Sequence, residues 1–196
     1  MDKSTDRRIL RTKKSLRDGL AKLMKTKSIS HITVKELVWE AEINRSTFYL
    51  HYTDISDLLD EIEKDMLEEI ERAIFKHPIE VNSQNTFYFI EDILKVLEAN
   101  RELGCALIGE YGDIGFIHKI QHVIEENSRN ILMEFFPESR EDLKYFYSYC
   151  LNGCFGMVKT WLLEGEDKSP DFIAGRMYQM VVGSIRAFHQ ENDMKN

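Results

Sequence analysis

Six histidines and three cysteines are the side chains best suited to metal or nucleophilic chemistry in this 196-residue chain. His118 and His122 stand four apart in a segment that reads as helix, and so do Cys150 and Cys154, so each pair shares a helix face and offers two of the four ligands of a zinc site. No third ligand follows at a suitable spacing. Packing or exposure therefore accounts for both pairs, and no metal or cofactor is implied. The chain also has no glycine-rich phosphate loop, nucleophile elbow or activated Cys-His arrangement, and its carboxylates fall on solvated helix faces, so it does not read as an enzyme. What remains is contact chemistry. The segment Asn44-Arg45-Ser46-Thr47-Phe48-Tyr49-Leu50-His51-Tyr52 places hydrogen-bonding side chains where a core helix would carry Leu or Ala, with Phe48 as its main inward anchor. Such side chains on a short exposed helix match the donors and acceptors on base edges in a DNA groove.

The charge distribution points the same way. The formal net charge is −8, yet residues 1–52 hold 12 Lys+Arg against 6 Asp+Glu while the remainder holds 14 against 28. A basic end on an acidic body suits a local polyanion site, because attraction is needed only where the phosphates lie; a solvated charged helix is the competing explanation. A composition of 43% hydrophobic and 31% charged residues fits a folded globular chain. Three cysteines without a CxxC pair, and a charged amino-terminal stretch without an apolar core, speak against a disulfide scaffold or a signal peptide, so a soluble cytoplasmic protein is expected. The least polar stretch, 145–163, contains Lys159, Asn152 and two glycines and suits a buried helix rather than a membrane span.

The elements that must position the polar segment are all helical. Ile9, Leu16, Leu20, Leu23 and Met24 mark one apolar stripe over about 5–26. Thr33 followed by Glu36 forms a capping box, which starts a short helix to about Ala41. Asn44 is an N-cap candidate for a second short helix from Arg45 to about Leu50, and Asp54 for a longer one carrying Ile55, Leu58, Leu59, Ile62, Met66, Ile70 and Ile74. Two short helices joined by about three residues, with a third in front, have the connection length of a helix-turn-helix. Farther on, Pro78 and the polar Asn82 to Asn85 separate the fourth helix from one over 86–100. The Gly-rich stretch 104–115 then breaks the pattern, and a further helix runs to about Phe136. Pro137, then Ser139 with Asp142, divide that helix from a long one ending near Glu164, and Ser169-Pro170 opens the last.

Residues 8–59 resemble the DNA-binding domain of the tetracycline-repressor (TetR) family of transcription regulators. The likeness runs through Ile9, Leu16, Ile32-Thr33-Val34, Leu37, Ala41, Ile43, Ser46-Thr47-Phe48-Tyr49, His51-Tyr52 and Leu58-Leu59. It implies an all-α fold, with a three-helix helix-turn-helix domain at 1–53 and a helical regulatory and dimerisation bundle at 54–196. It also implies a regulator, more commonly a repressor, that binds palindromic double-stranded operator DNA as a homodimer and responds to a small-molecule effector. Two positions depart from the family pattern. Glu42 stands where Gly is common, so the turn is expected to be strained or differently built. Ile55 stands where Lys commonly meets a phosphate, so one backbone contact is expected to be missing.

Roles for single residues follow from how a recognition helix docks. Arg45 is the candidate for a bidentate guanine contact, with Asn44, Ser46 and Thr47 adding hydrogen bonds or a thymine-methyl contact; capping is the alternative for Asn44 and Ser46. Thr33 and Lys35 are placed for phosphates at the start of the second helix. By resemblance Tyr49, His51 and Tyr52 contact phosphates, with a packed aromatic seam as the alternative, above all for Tyr52. Arg7, Arg8, Arg11, Lys13 and Lys14 form a basic front that reaches phosphates or is simply solvated. In the last two helices Gly153, Gly156, Gly175, Gly183 and Ser184 permit close helix approach, with ordinary packing within the chain as the alternative, and the Gly153-x-x-Gly156 pattern with Trp161, Gly165 and Ser169-Pro170 resembles a common carboxy-terminal type of the family. Tyr111, Phe116, Tyr147, Cys150, Cys154, Met157 and Trp161 are candidates to line an effector pocket, or else plain core. A protein-interaction adaptor that keeps the fold without binding DNA is the rival function.

Overall fold

A computed structural model describes residues 3–77, 84–135, 140–164 and 168–193. Among them every regular element is helical: α1 (Lys3–Met24), a 3-10 turn (Ile29–His31), α2 (Val34–Glu40), α3 (Arg45–Tyr49), α4 (Ile55–Lys76), α5 (Gln84–Ala99), α6 (Arg101–Ile108), α7 (Ile114–Phe135), α8 (Arg140–Leu163) and α9 (Pro170–Asp193). The breaks assigned to Pro78, Asn82, Pro137 and Ser139 lie outside the described residues, as does Gly165 of the carboxy-terminal resemblance. One expected break is corrected. Helix continues through the buried Gly104 as far as Ile108, because Leu103, Ala106 and Leu107 bury an apolar face that outweighs the low helix propensity of one glycine.

The chain forms two compact units, one of residues 1–66 with 100–116, the other of 67–99 with 117–196. The first joins α1, α2, α3, the start of α4 and α6. Leu16, Leu20 and Met24 from α1, Leu37 from α2, Phe48 from α3, Leu58 and Ile62 from α4 and Leu107 from α6 are all fully buried there. Gly19 allows α1 to approach α2 closely, since a Cβ at that position would lie 3.4 Å from both Ala41 and Leu37. Two rungs of charge tie α1 to α4, Lys13 to Glu61 at 2.7 Å and Arg17 to Asp65 at 2.9 Å, each partner spaced four residues along its helix. Lys25 pairs with Glu102 of α6.

In the second unit α9 packs along α5, where Phe87 meets Tyr178 edge-on at 6.2 Å. Leu143, Phe146, Tyr147 and Ile185 form a buried cluster between α8 and α9, with Met133 of α7 packed against it. The Trp161 indole donates to the carbonyl of Lys168 at 2.8 Å, which closes the end of α8 against the approach to α9. Each of the two last helices keeps one exposed stripe at helical spacing: Tyr145, Tyr149, Gly153, Gly156 and Thr160 on α8, and Phe172, Arg176, Met180 and Gly183 on α9. Gly153, Gly156 and Gly183 have nothing within 4 Å of the position a Cβ would take. Among the described residues no helix is long and apolar enough to cross a membrane.

Candidate nucleic-acid interface

The start of α2 is set by the capping box. Glu36 N donates to Thr33 Oγ1 at 3.3 Å, and Thr33 N donates back to Glu36 Oε2 at 2.9 Å. Lys27 adds a bond to Glu36 Oε1 at 2.5 Å, and this bond, followed by those from Thr33, lowers the Glu36 carboxyl to about 2. Lys35 is exposed one residue away. Thr33 is exposed as well, but its hydroxyl already serves the cap.

The turn into α3 is held by Ile43 N, which donates to the carbonyl of Val38 at 3.0 Å. Within it Glu42 adopts φ 54°, the left-handed region that glycine enters without penalty. The strain expected from a non-glycine residue here is therefore present in the backbone. Asn44 occupies the N-cap position of α3, but its side chain makes no capping bond, which corrects the capping alternative for this residue. Its extended backbone starts the helix through its carbonyl, which accepts from the amides of Thr47 and Phe48.

Phe48 is wholly buried and fixes the rotation of α3. With 100° per residue, Arg45, Ser46, Tyr49 and Leu50 then fall on one outward face, and all four are exposed together with Asn44. Thr47 is half-buried at the edge of that face. Arg45 lies over the Tyr49 ring, 5.6 Å from its centroid, and donates to the Tyr49 hydroxyl at 3.3 Å, so the guanidinium is held at the surface beside an aromatic.

At the far end of α3 the structure separates residues grouped by sequence. His51 is half-buried with its ring 6.3 Å from that of Tyr52. Tyr52 is buried and donates to Glu61 Oε1 at 2.6 Å, so its hydroxyl faces α4 and not a phosphate in this arrangement. Lys13 of the basic front is committed to the same Glu61 and lies 5.6 Å from the centre of the Tyr52 ring, whereas Arg7, Arg8, Arg11 and Lys14 stay exposed. Burial raises the Tyr52 hydroxyl, and its bond to Glu61 raises it further. Burial pushes Glu61 upward too, but the bonds from Lys13 and Tyr52 outweigh it and hold the carboxyl below its usual range. Ile55, where a phosphate-binding Lys was noted as absent, is buried at the start of α4.

Sequence patterns passed over several exposed apolar side chains in this unit, among them Leu50 at 79% and Trp39 at 80% exposure. The spacing that could have shown Leu50 is its place four residues after Ser46.

The residues proposed to line an effector pocket are divided between the two compact units. Tyr111, which is exposed, and Phe116, which is buried, belong to the first unit; Tyr147, Cys150, Cys154, Met157 and Trp161 belong to the second. Burial raises the Cys150 thiol to about 12 and the Cys154 thiol to about 11, which keeps both protonated at neutral pH. A groove of about 580 Å³, open to solvent, runs between α7 and α8, lined by Gln121, Glu125, Arg129 and Met133 facing Leu143, Lys144, Tyr147, Ser148, Leu151 and Asn152. Only Tyr147 is common to both sets, and its hydroxyl lies 2.9 Å from Ser128 Oγ. The lining residues recur every four positions on both helices, a ridge visible in the sequence only once the facing helix is known.

Residues 84–183, just over half the chain, match the TetR family model described as Transcriptional regulator C-terminal region. The chain belongs to the TetR family of transcriptional regulators. A Bacillus subtilis (strain 168) protein named Uncharacterized HTH-type transcriptional regulator YxbF is 22% identical over 175 residues, covering 85% of this chain. The chain spans 43% of that relative's length. Among solved structures, the TetR transcriptional regulator of Streptococcus agalactiae is 24% identical with a TM-score of 0.59, covering 91% of this chain and 97% of that one. The fatty acid degradation regulator FadR of Bacillus halodurans is 14% identical with a TM-score of 0.64, covering 89% and 96%. At these identities the two structures establish the shared TetR-like fold.

Proposed function

We propose that this TetR-family regulator is a cytoplasmic repressor that binds palindromic double-stranded operator DNA as a homodimer, acts by binding without catalysis, and releases the DNA when a small molecule binds. The observation that carries this reading is the outward face of α3, where Asn44, Arg45 and Ser46 stand exposed while Phe48 is buried. Arg45 reads a guanine in the major groove, Asn44, Ser46 and Thr47 add contacts to neighbouring bases, and Lys35, Tyr49 and His51 hold phosphates, while Thr33 serves the start of α2 through its capping box. Tyr52 holds His51 and α3 in place from behind. On this reading residues 1–53 form the DNA-binding domain and 54–196 the regulatory and dimerisation part.

The homodimer is supported by the exposed stripes of α8 and α9, in which large side chains such as Tyr149 and Met180 flank Gly153, Gly156 and Gly183, whose open Cβ positions leave room for a second pair of helices. The effector is supported by the groove between α7 and α8, whose volume suits a small organic ligand. A ligand bound more tightly by one conformation changes operator affinity through linkage.

Mobility shifts of the full chain on DNA from upstream of its own coding sequence test the reading. A retarded band that competitor of random sequence fails to remove is the expected result. No shift at low salt removes the DNA-binding function and leaves the protein-interaction adaptor in its place.

A further inference from the structure

The outward face of α3 carries one side chain that cannot hydrogen-bond. Leu50 caps the carboxy-terminal end of the helix with α-helical backbone, φ −74° and ψ −19°, and is 79% exposed. It follows Ser46 by four residues, so the two neighbour each other on the same face as Arg45 and Tyr49. A lone exposed leucine needs no explanation on an ordinary surface. Here it sits on a five-residue helix whose other outward side chains are polar or amphipathic, within the segment of the chain that is net positive.

The occupant that fits is the 5-methyl group of thymine. In the major groove it is the apolar feature of the base edges, and it lies beside the acceptors that Arg and Ser side chains address. We infer that Leu50 is a specificity-determining residue that packs on a thymine methyl next to the base pairs contacted by Arg45 and Ser46. This rests on the reading of α3 as the groove-facing helix. It makes apolar contact, and not hydrogen bonding alone, part of operator choice.

The test starts from duplexes enriched out of a randomised pool by the full chain. In the enriched duplex each thymine is replaced in turn by deoxyuridine, which removes only the methyl group. Wild-type affinity should fall about three- to fivefold at one or more thymine positions, the size expected for one buried methyl. Leu50→Ala should bind the unmodified duplex more weakly by a similar factor and lose its sensitivity to deoxyuridine at those positions. Leu50→Met should retain that sensitivity. Since Leu50 is exposed, the melting temperatures of both variants should match the wild type. If Leu50→Ala keeps the same methyl dependence as the wild type, or no thymine shows any, the inference is overturned while DNA binding stands. Enrichment of no duplex at all overturns both.

Discussion

The Tyr52 hydroxyl donates to Glu61 at 2.6 Å while Lys13 holds the other oxygen of the same carboxylate at 2.7 Å, so the last aromatic of the Thr-Phe-Tyr-x-His-Tyr run is clamped between α1 and α4. Tyr52→Phe removes one bond to a charged acceptor and is expected to cost about 1–2 kcal/mol of folding stability. Affinity for DNA should be unchanged at temperatures where both proteins are folded. Urea unfolding and binding titrations measured together check this. Weaker binding with unaltered stability would instead make Tyr52 a phosphate contact.

Glu42 is held at φ 54°, where a side chain clashes with its own backbone. Glu42→Gly should raise stability by about 0.5–1 kcal/mol despite the greater freedom of glycine in the unfolded chain, and Glu42→Ala should not. The denaturant midpoint, at constant slope, reports the difference.

Arg45 and Lys35 should separate base reading from phosphate attraction. Arg45→Ala is expected to lose about 1–3 kcal/mol on the operator and to relax choice at one base pair. Lys35→Ala should weaken all sequences alike and lower the salt slope by about one. Titrations of both variants across a salt series decide it, and equal losses on operator and random DNA for Arg45→Ala would remove its reading role.

Lys27 and Thr33 hold Glu36 at about 2, below the 4.5 of a free carboxyl. A carboxyl whose folded value is depressed contributes its stability above the unfolded value and loses it as pH falls through the folded one. The contribution of Glu36 should therefore fade between about pH 4.5 and 2. Melting temperatures across that range should fall less steeply for Glu36→Gln than for the wild type. Thr33→Ala, which removes the other half of the capping box, should cost about 1 kcal/mol at neutral pH.

Gly156 distinguishes a solvent face from a helix-pairing face. It is exposed in mid-helix with open space where a Cβ would stand. Gly156→Ala should then stabilise the isolated chain by about 1 kcal/mol through helix propensity alone. If α8 pairs with its copy, Gly156→Glu should shift sedimentation toward monomer without altering helical content. A dimer indifferent to Gly156→Glu places the pairing surface elsewhere.

The helix starts and most apolar faces were legible in the chain itself, because a capping box, an Asp at the head of α4 and a Ser-Pro before α9 act over three or four residues and need no distant partner. Asp54 Oδ1 accepting from Asp57 N at 2.9 Å is such a local device, as is the Thr33–Glu36 pair. Arg45, Ser46 and Tyr49 on the outward face of α3 could also be named from composition, whereas Leu50 joined them only once the burial of Phe48 fixed the rotation of the helix. Long-range packing alone decided which polar groups remain available. Lys13 and Glu61 are 48 positions apart, and no periodicity in either helix announces that they take up the Tyr52 hydroxyl between them. Tertiary packing likewise placed α6, some fifty residues downstream, in the amino-terminal unit, and set the four-residue ridges of α7 and α8 face to face across a groove. Caps and periodicity are properties of neighbouring residues, whereas burial, pairing and the grooves between helices exist only once separate helices meet.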